Sequence, residues 1–188
     1  MAKRGARDTL TGGTGDVNPQ FLLSPRISNA TPGSLVSVQL PLPIQRLPTT
    51  GRAQVLEILK VTWDFDFTII NTDAATTLGG IAYLTTRNPN NSAPSTVDNT
   101  TVDWIEQKLQ TLSATSGGIA VQIEHPFLHD LTDGAGHGVL IGTDYLFLSL
   151  LNPSGYTAGN VTFSSARILY RWKDVSLAEY IGMVQSQQ

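Results

Sequence analysis

The sequence contains no cysteine, little charge and no long apolar run, and each shortage excludes a class of protein. Without cysteine, disulfides, thiol nucleophiles and thiolate metal ligands are excluded. No window approaches the roughly 20 apolar residues of a membrane-spanning helix, so no membrane insertion is expected. Charged residues make up 14% of the chain, against about 25% in typical globular proteins. So low a charge favours a protein that covers much of its surface with its own copies; a secreted β-protein with a Ser/Thr/Asn-rich exterior is the alternative.

Recognisable catalytic motifs are also scarce. The sequence has no Gly-x-Ser-x-Gly elbow, and its glycine-rich stretch near residues 11–15 lacks a Walker lysine. Asp64 and Asp66 are two residues apart on one face of a predicted strand, a spacing that glycosidases use but that more commonly marks the solvated side of a strand. We therefore predict that the protein is not an enzyme and needs no cofactor.

The three histidines, His125, His129 and His137, fall within thirteen positions. On a helix, the first two would present both rings on one face, as in zinc hydrolases. Pro126 separates them and the surrounding residues favour strands, so we interpret this segment as a polar loop. A cupin-like metal enzyme built on the three histidines is the alternative.

Runs of β-type residues separated by turn signals dominate the chain. Val61, Trp63 and Phe65 alternate with polar residues, as a half-buried strand requires. The segment 101–114 fits either a helix or a strand, and its β surroundings favour a strand. The predicted strands cover 34–44, 53–70, 79–87, 101–114, 117–125, 139–153 (broken at 142–144) and 160–175.

This pattern gives about eight strands and no helix long enough for a parallel crossover. We predict an all-β chain: a single eight-stranded antiparallel jelly-roll sandwich, the architecture of capsid proteins, lectins and cupins. Residues 1–25 are predicted to be a flexible, weakly basic N-terminal arm, 26–175 the jelly-roll domain and 176–188 a C-terminal tail. Three cations in the arm, Lys3, Arg4 and Arg7, are typical of a segment that binds nucleic-acid phosphates; an ordinary solubilising start of the chain is the alternative.

The end of the chain combines a strand with an apolar tail. Ile168, Tyr170 and Trp172 are predicted to face the core, with Arg167 and Arg171 opposite, available to a neighbour or to nucleic acid. Ser176 and Glu179 have capping-box spacing, which permits one short helical turn before Gly182. Five apolar residues exceed what a solvated terminus carries and are expected to pack on an adjacent subunit or on the chain's own inner surface; they are Leu177, Tyr180, Ile181, Met183 and Val184.

The segment "ARILYRWKDVSLAEYIGMVQSQQ" resembles the C-terminal end of capsid proteins from small circular Rep-encoding single-stranded DNA viruses, the circovirus-like group. The resemblance implies a jelly-roll subunit of an icosahedral virion, assembled in a host cell from copies of itself around single-stranded DNA. Such proteins commonly begin with a long arginine-rich arm, which this chain lacks. Either other inward-facing cations, such as Arg26, contribute to genome binding, or the protein packages nucleic acid weakly and readily forms empty shells.

Two further functions stay open at this point. One is the coat protein of a small or satellite RNA virus, because the chain has a similar length. The other is a lectin-like sandwich that binds sugars through Trp104, Tyr145, Asp133 or Asn152. No motif in the sequence identifies a host receptor.

Overall fold

The computed structural model describes residues 19–42, 45–47, 51–68, 76–111, 120–123, 127–155 and 161–187. Within these ranges the chain forms strands and one helix, in this order: β1 (Gln20–Leu23), β2 (Ile27–Asn29), β3 (Ser34–Pro41), β4 (Gln45–Leu47), β5 (Arg52–Thr68), β6 (Thr76–Thr85), β7 (Thr101–Thr111), β8 (Ala120–Ile123), β9 (Leu128–Asp130), β10 (Val139–Ile141), β11 (Tyr145–Asn152), β12 (Val161–Ser176) and α1 (Leu177–Gln187).

These strands form two antiparallel sheets. In sheet A, β12 pairs with β5 along most of its length, and β1 and β2 follow one another along the other edge of β12. The free edge of β5 is occupied in turn by β4, β10 and β9. Sheet B has the order β3-β11-β6-β7-β8.

The pairing is nested, which defines a jelly roll. The first strands, β1 and β2, pair with the last, β12; β3 pairs with β11; β5 pairs with β9 and β10; and β6 pairs with β7. The predicted all-β jelly-roll fold is therefore confirmed, and β7 confirms the strand interpretation of its segment. The described strand segments exceed the predicted eight because β1, β2, β4 and β9 lie outside the predicted strand ranges.

The core lies between the sheets, and a β-bulge decides which residues of β5 face it. The register moves from Lys60 opposite Leu169 to Ile58 opposite Tyr170, which leaves Leu59 as the extra residue. A bulge changes the parity of a strand. Val61 therefore faces the core beyond the bulge, and Ile58 faces it before the bulge.

The last strand confirms its predicted orientation. Ile168 and Tyr170 belong to the core, Trp172 packs against it, and Arg167 is exposed on the opposite face.

The predicted boundary of the N-terminal arm at residue 25 is wrong. Residues 20–23 form β1, paired with residues 167–170 of β12, and Leu22 packs against the core. The apolar contact and the backbone hydrogen bonds explain why this segment joins the sheet. The rest of the predicted arm, residues 1–18, lies outside the described residues.

Candidate self-assembly surface

Helix α1 begins directly after β12 with a capping box. The Glu179 backbone N–H donates to Ser176 Oγ over 3.2 Å, and the Ser176 N–H donates to the Glu179 carboxylate over 2.8 Å. These bonds pair N–H groups that the first turn of a helix otherwise leaves without partners. The bonds from the Ser176 N–H and hydroxyl also hold the pKa of Glu179 below its usual value. The capping box predicted from sequence is confirmed.

The helix extends well past the predicted single turn, because one side of it packs on the chain's own sheet. It continues through Gly182 to Gln187, so the prediction that it stops at the glycine is wrong. Tyr180 is buried on the outward face of sheet A, the face turned away from sheet B. Its cluster comprises Ala53, Val55 and Val175, with Leu140, Met183 and Val184 packed against it. Burial of this apolar side offsets the cost of about 1 kcal/mol for glycine inside a helix.

The C-terminal end of α1 is held by hydrogen bonds to two other parts of the chain. The Gln187 side chain accepts from the Gly142 N–H over 2.8 Å and donates to the Leu140 carbonyl over 2.7 Å. The Thr86 hydroxyl donates to the Gln187 carbonyl over 2.9 Å. Gly142 has no room for a side chain, since an added Cβ would lie 2.9 Å from the Cβ of Met183. The helix is thus an integral part of the domain.

The five predicted interface residues divide into two groups. Tyr180, Met183 and Val184 pack against sheet A of their own chain, which was one of the two predicted positions for the tail. Leu177 and Ile181 are 46% and 49% exposed. These two residues are the members of the set that remain available to a neighbouring molecule.

Beyond the helix, the outward face of sheet A is open to solvent. Phe21, Leu23 and Leu128 are 62%, 64% and 54% exposed. The register places Phe21 beside Leu169, Leu23 beside Arg167, and Leu128 beside Thr62. We call this part of sheet A, defined by Phe21, Leu23, Leu128, Arg167 and Leu169, the open half-face. Phe21 and Leu23 lie on β1 at one edge of this face and Leu128 on β9 at the other edge, with Arg167 and Thr62 between Leu23 and Leu128. Exposed apolar side chains on one face are candidates for an interaction surface.

Charges on the open half-face are mostly paired within the chain. Lys60 Nζ lies 3.1 Å from Asp130 Oδ2. Hydrogen bonds from the Thr132 hydroxyl and N–H, with a contribution from Lys60, lower the pKa of Asp130 to about 2. The Arg167 guanidinium lies 5.7 Å from the centre of the Phe21 ring. Among the described residues Arg167 has no ion-pair partner.

Between α1 and the open half-face lies a buried carboxylate, Glu57, whose side chain is 0% exposed. Arg171 Nε donates to it over 2.5 Å, the Gly138 N–H over 3.0 Å and Lys173 Nζ over 3.4 Å. Burial alone would raise the pKa of Glu57, but the Arg171 and Gly138 hydrogen bonds and the Lys173 charge outweigh it and hold the pKa below its usual value. Arg171 and Lys173 thus both contact Glu57, and Arg171 Nη2 also donates to the Gly136 carbonyl over 3.0 Å.

The cations predicted to bind nucleic acid are not brought together in the described residues. Lys3, Arg4 and Arg7 lie outside them. Arg26 Nη2 lies 2.6 Å from Asp66 Oδ2, and its guanidinium lies 4.4 Å from the centre of the Phe163 ring. The Asp66 carboxylate balances the Arg26 charge, so a role for Arg26 at phosphates stays a prediction that this geometry does not favour.

The histidines use separate carboxylates. His129 Nδ1 lies 2.8 Å from Asp103 Oδ1, and Trp63 Nε1 donates to Asp103 Oδ2 over 2.8 Å. Asp103 belongs to sheet B and its two partners to sheet A, so this group links the sheets. His137 contacts Asp133 in the loop before β10.

No group of three or more potential metal ligands occurs in the part of the chain that the structure describes, and His125 lies outside it. Sequence reasoning missed the Asp103 link between the sheets. Its signal is that Asp103 shares strand parity with the buried Ile105.

The residues of the lectin alternative differ in accessibility. Trp104 and Tyr145 are 39% and 44% exposed. Asn152 is buried and therefore inaccessible to a sugar, and Asp133 is bound to His137.

The described part of the chain has no helix with the length and apolarity to span a membrane.

Comparisons with known proteins show a distant likeness to viral coat proteins. No protein-family model and no curated sequence match the chain. VP1 of Trichodysplasia spinulosa-associated polyomavirus, solved with GM1 oligosaccharide, is 11% identical with a TM-score of 0.48, over 85% of this chain and 95% of VP1. Apo New Jersey polyomavirus VP1 is 11% identical with a TM-score of 0.47, over 82% and 90%. The Merkel cell polyomavirus virus-like particle chain is 11% identical with a TM-score of 0.48, over 92% and 80%.

Proposed function

We propose that this protein is a viral capsid subunit that assembles with copies of itself into an icosahedral shell around single-stranded nucleic acid. The observation that carries the proposal is the open half-face, because a closed jelly roll has buried its core and still exposes Phe21, Leu23 and Leu128 on one sheet. Subunit contacts would remove this apolar area from water. The exposed side of α1, with Leu177 and Ile181, adds a second apolar surface.

A structural role also fits the polar groups of the described residues. Glu57, Asp103 and Asp130 each have partners that hold the fold together, by an ion pair, an inter-sheet link and a loop bond respectively. The resemblance of the C-terminal segment to circovirus-like capsid proteins favours single-stranded DNA as the cargo, with the virion as the place where the protein acts.

The test is the size of the purified protein. Size-exclusion chromatography and negative-stain microscopy are expected to show isometric particles of megadalton size. A protein that stays a monomer or dimer across salt and pH contradicts the proposal. Digestion of co-purified nucleic acid with DNase or RNase then separates the single-stranded DNA cargo from that of a small RNA virus.

Two further measurements address the alternatives. Retention of a monomeric protein on immobilised glycans would favour the lectin-like function. Stoichiometric zinc, iron or manganese in the purified protein would favour the metal enzyme.

A further inference from the structure

We propose that two copies of this chain join through the outward faces of their A sheets, with α1 of each copy lying on the open half-face of the other. This inference rests on the proposed function, because it identifies one of the contacts by which subunits assemble. The partner is a second copy of the chain, and the contact is isologous, with each copy giving the same two surfaces.

The shape of the face favours this arrangement. The helix covers the part of sheet A around Ala53 and Val55, while the part beyond Lys60 stays open. A helix is about 10 Å thick, so the face has a step that prevents two copies from meeting flat. Rotation by 180° about an axis in the plane of the face and across the strands places each helix on the open half-face of the other copy. The step is then filled from both sides.

Both surfaces carry exposed apolar side chains. Leu177 and Ile181, four residues apart, form one margin of the exposed side of the helix. The open half-face presents Phe21 and Leu23 on β1 and Leu128 on β9. Mutual burial of these side chains removes apolar area from water on both copies.

Gly182 allows the sheet of a second copy to approach α1 closely. It lies inside α1, where glycine costs about 1 kcal/mol relative to alanine. An added Cβ there would meet no atom within 4 Å, so no contact within the chain requires glycine. With the exposed Ala178 one turn earlier, it gives the helix a low surface on which a sheet can lie closely.

The charges are complementary as well. Glu179 is the one charged residue in α1, and it lies just after the end of β12. Arg167 lies on β12 in the open half-face and has no ion-pair partner among the described residues. The proposed rotation superimposes the positions of β12 in the two copies, which places Glu179 of one copy over the strand that carries Arg167 of the other. Opposite charges placed in this way fix the register of an interface.

Steric substitution at Gly182 tests the contact. Gly182→Trp is expected to lower the yield of closed particles at least tenfold in sedimentation velocity, with accumulation of smaller species. Gly182→Ala is the matched control and is expected to assemble at the wild-type yield. Both variants are expected to keep the wild-type circular dichroism spectrum, because the position is open in the subunit. Assembly of Gly182→Trp at the wild-type yield overturns this inference and leaves the proposed function standing; a wild-type chain that never assembles overturns both.

A double-mutant cycle tests the charge pair. Arg167→Gln and Glu179→Gln are each expected to weaken subunit association about tenfold, and the double variant no further than either single variant. Glutamine at position 179 keeps a capping box, so the helix is retained. Purely additive effects of the two substitutions overturn the pairing of Arg167 with Glu179.

Discussion

At the scale of single residues, Glu57 is a fully buried carboxylate whose stability depends on several partners. Its carboxylate is buried on the outward side of β5 and is held by Arg171, Lys173 and the Gly138 N–H. Gly138 must be glycine, because an added Cβ would lie 2.0 Å from the Ile58 carbonyl oxygen. Removing one member of a buried pair leaves the other charge without compensation, which costs more than the pair contributes.

Glu57→Gln is expected to lower the free energy of unfolding by about 3 kcal/mol at pH 7, because Arg171 and Lys173 no longer face the charge of Glu57. The folded-state pKa of Glu57 lies below its ordinary value of 4.5, so the carboxylate contributes stability above that value and loses the contribution as the pH falls through the folded-state pKa. The difference between the two proteins should therefore shrink in acid. Urea unfolding at a series of pH values measures it; a difference that grows in acid contradicts the assignment.

At the scale of elements, one property of the C-terminal tail depends on neighbouring residues in the sequence and another depends on contacts with distant strands. The capping box was predictable, because Ser176 and Glu179 interact across a single turn. The length of α1 was not, because helix propensity at Gly182 favours a stop and the compensating contacts come from β5, β10 and β12. Most helical stability in proteins comes from such packing.

Gln187→Ala is expected to loosen the end of α1, because it leaves the buried Gly142 N–H and Leu140 carbonyl without their partners. The cost should be about 2 kcal/mol. Hydrogen exchange of the last two turns of α1 is expected to accelerate more than tenfold. Gln185→Ala, an exposed position on the same helix, serves as the control and should leave exchange unchanged. Equal protection in both variants would show that the side chain of Gln187 does not anchor the helix.

At the scale of the whole molecule, the nested strand pairing leaves one sheet face half covered by α1 and half open. The cations Lys3, Arg4 and Arg7 precede β1, which lies at the edge of that same sheet. Contacts between cations and phosphates neutralise charge without reading sequence. With three cations, the arm is expected to make a modest contribution to packaging.

Deletion of residues 1–10 is expected to lower the nucleic acid that co-purifies with the particles and to leave the particles intact. The ratio of absorbance at 260 and 280 nm measures the cargo, and microscopy reports the shell. A full-length variant with Lys3, Arg4 and Arg7 replaced by glutamine separates charge from length and should match the deletion. An unchanged absorbance ratio in both would exclude the arm as a packaging element.

Most of the strands, their antiparallel arrangement and the capping box were predictable from the sequence, since side-chain alternation, turn residues and a one-turn spacing are local properties. The strands β1, β2, β4 and β9, the bulge at Leu59, the Asp103 link between the sheets and the length of α1 became evident in the folded chain. Each of these depends on groups far apart in the chain, whose proximity no local pattern encodes. The same holds for the tail: its apolar excess was evident from sequence, but only packing separated the buried Tyr180 from the exposed Leu177 and Ile181.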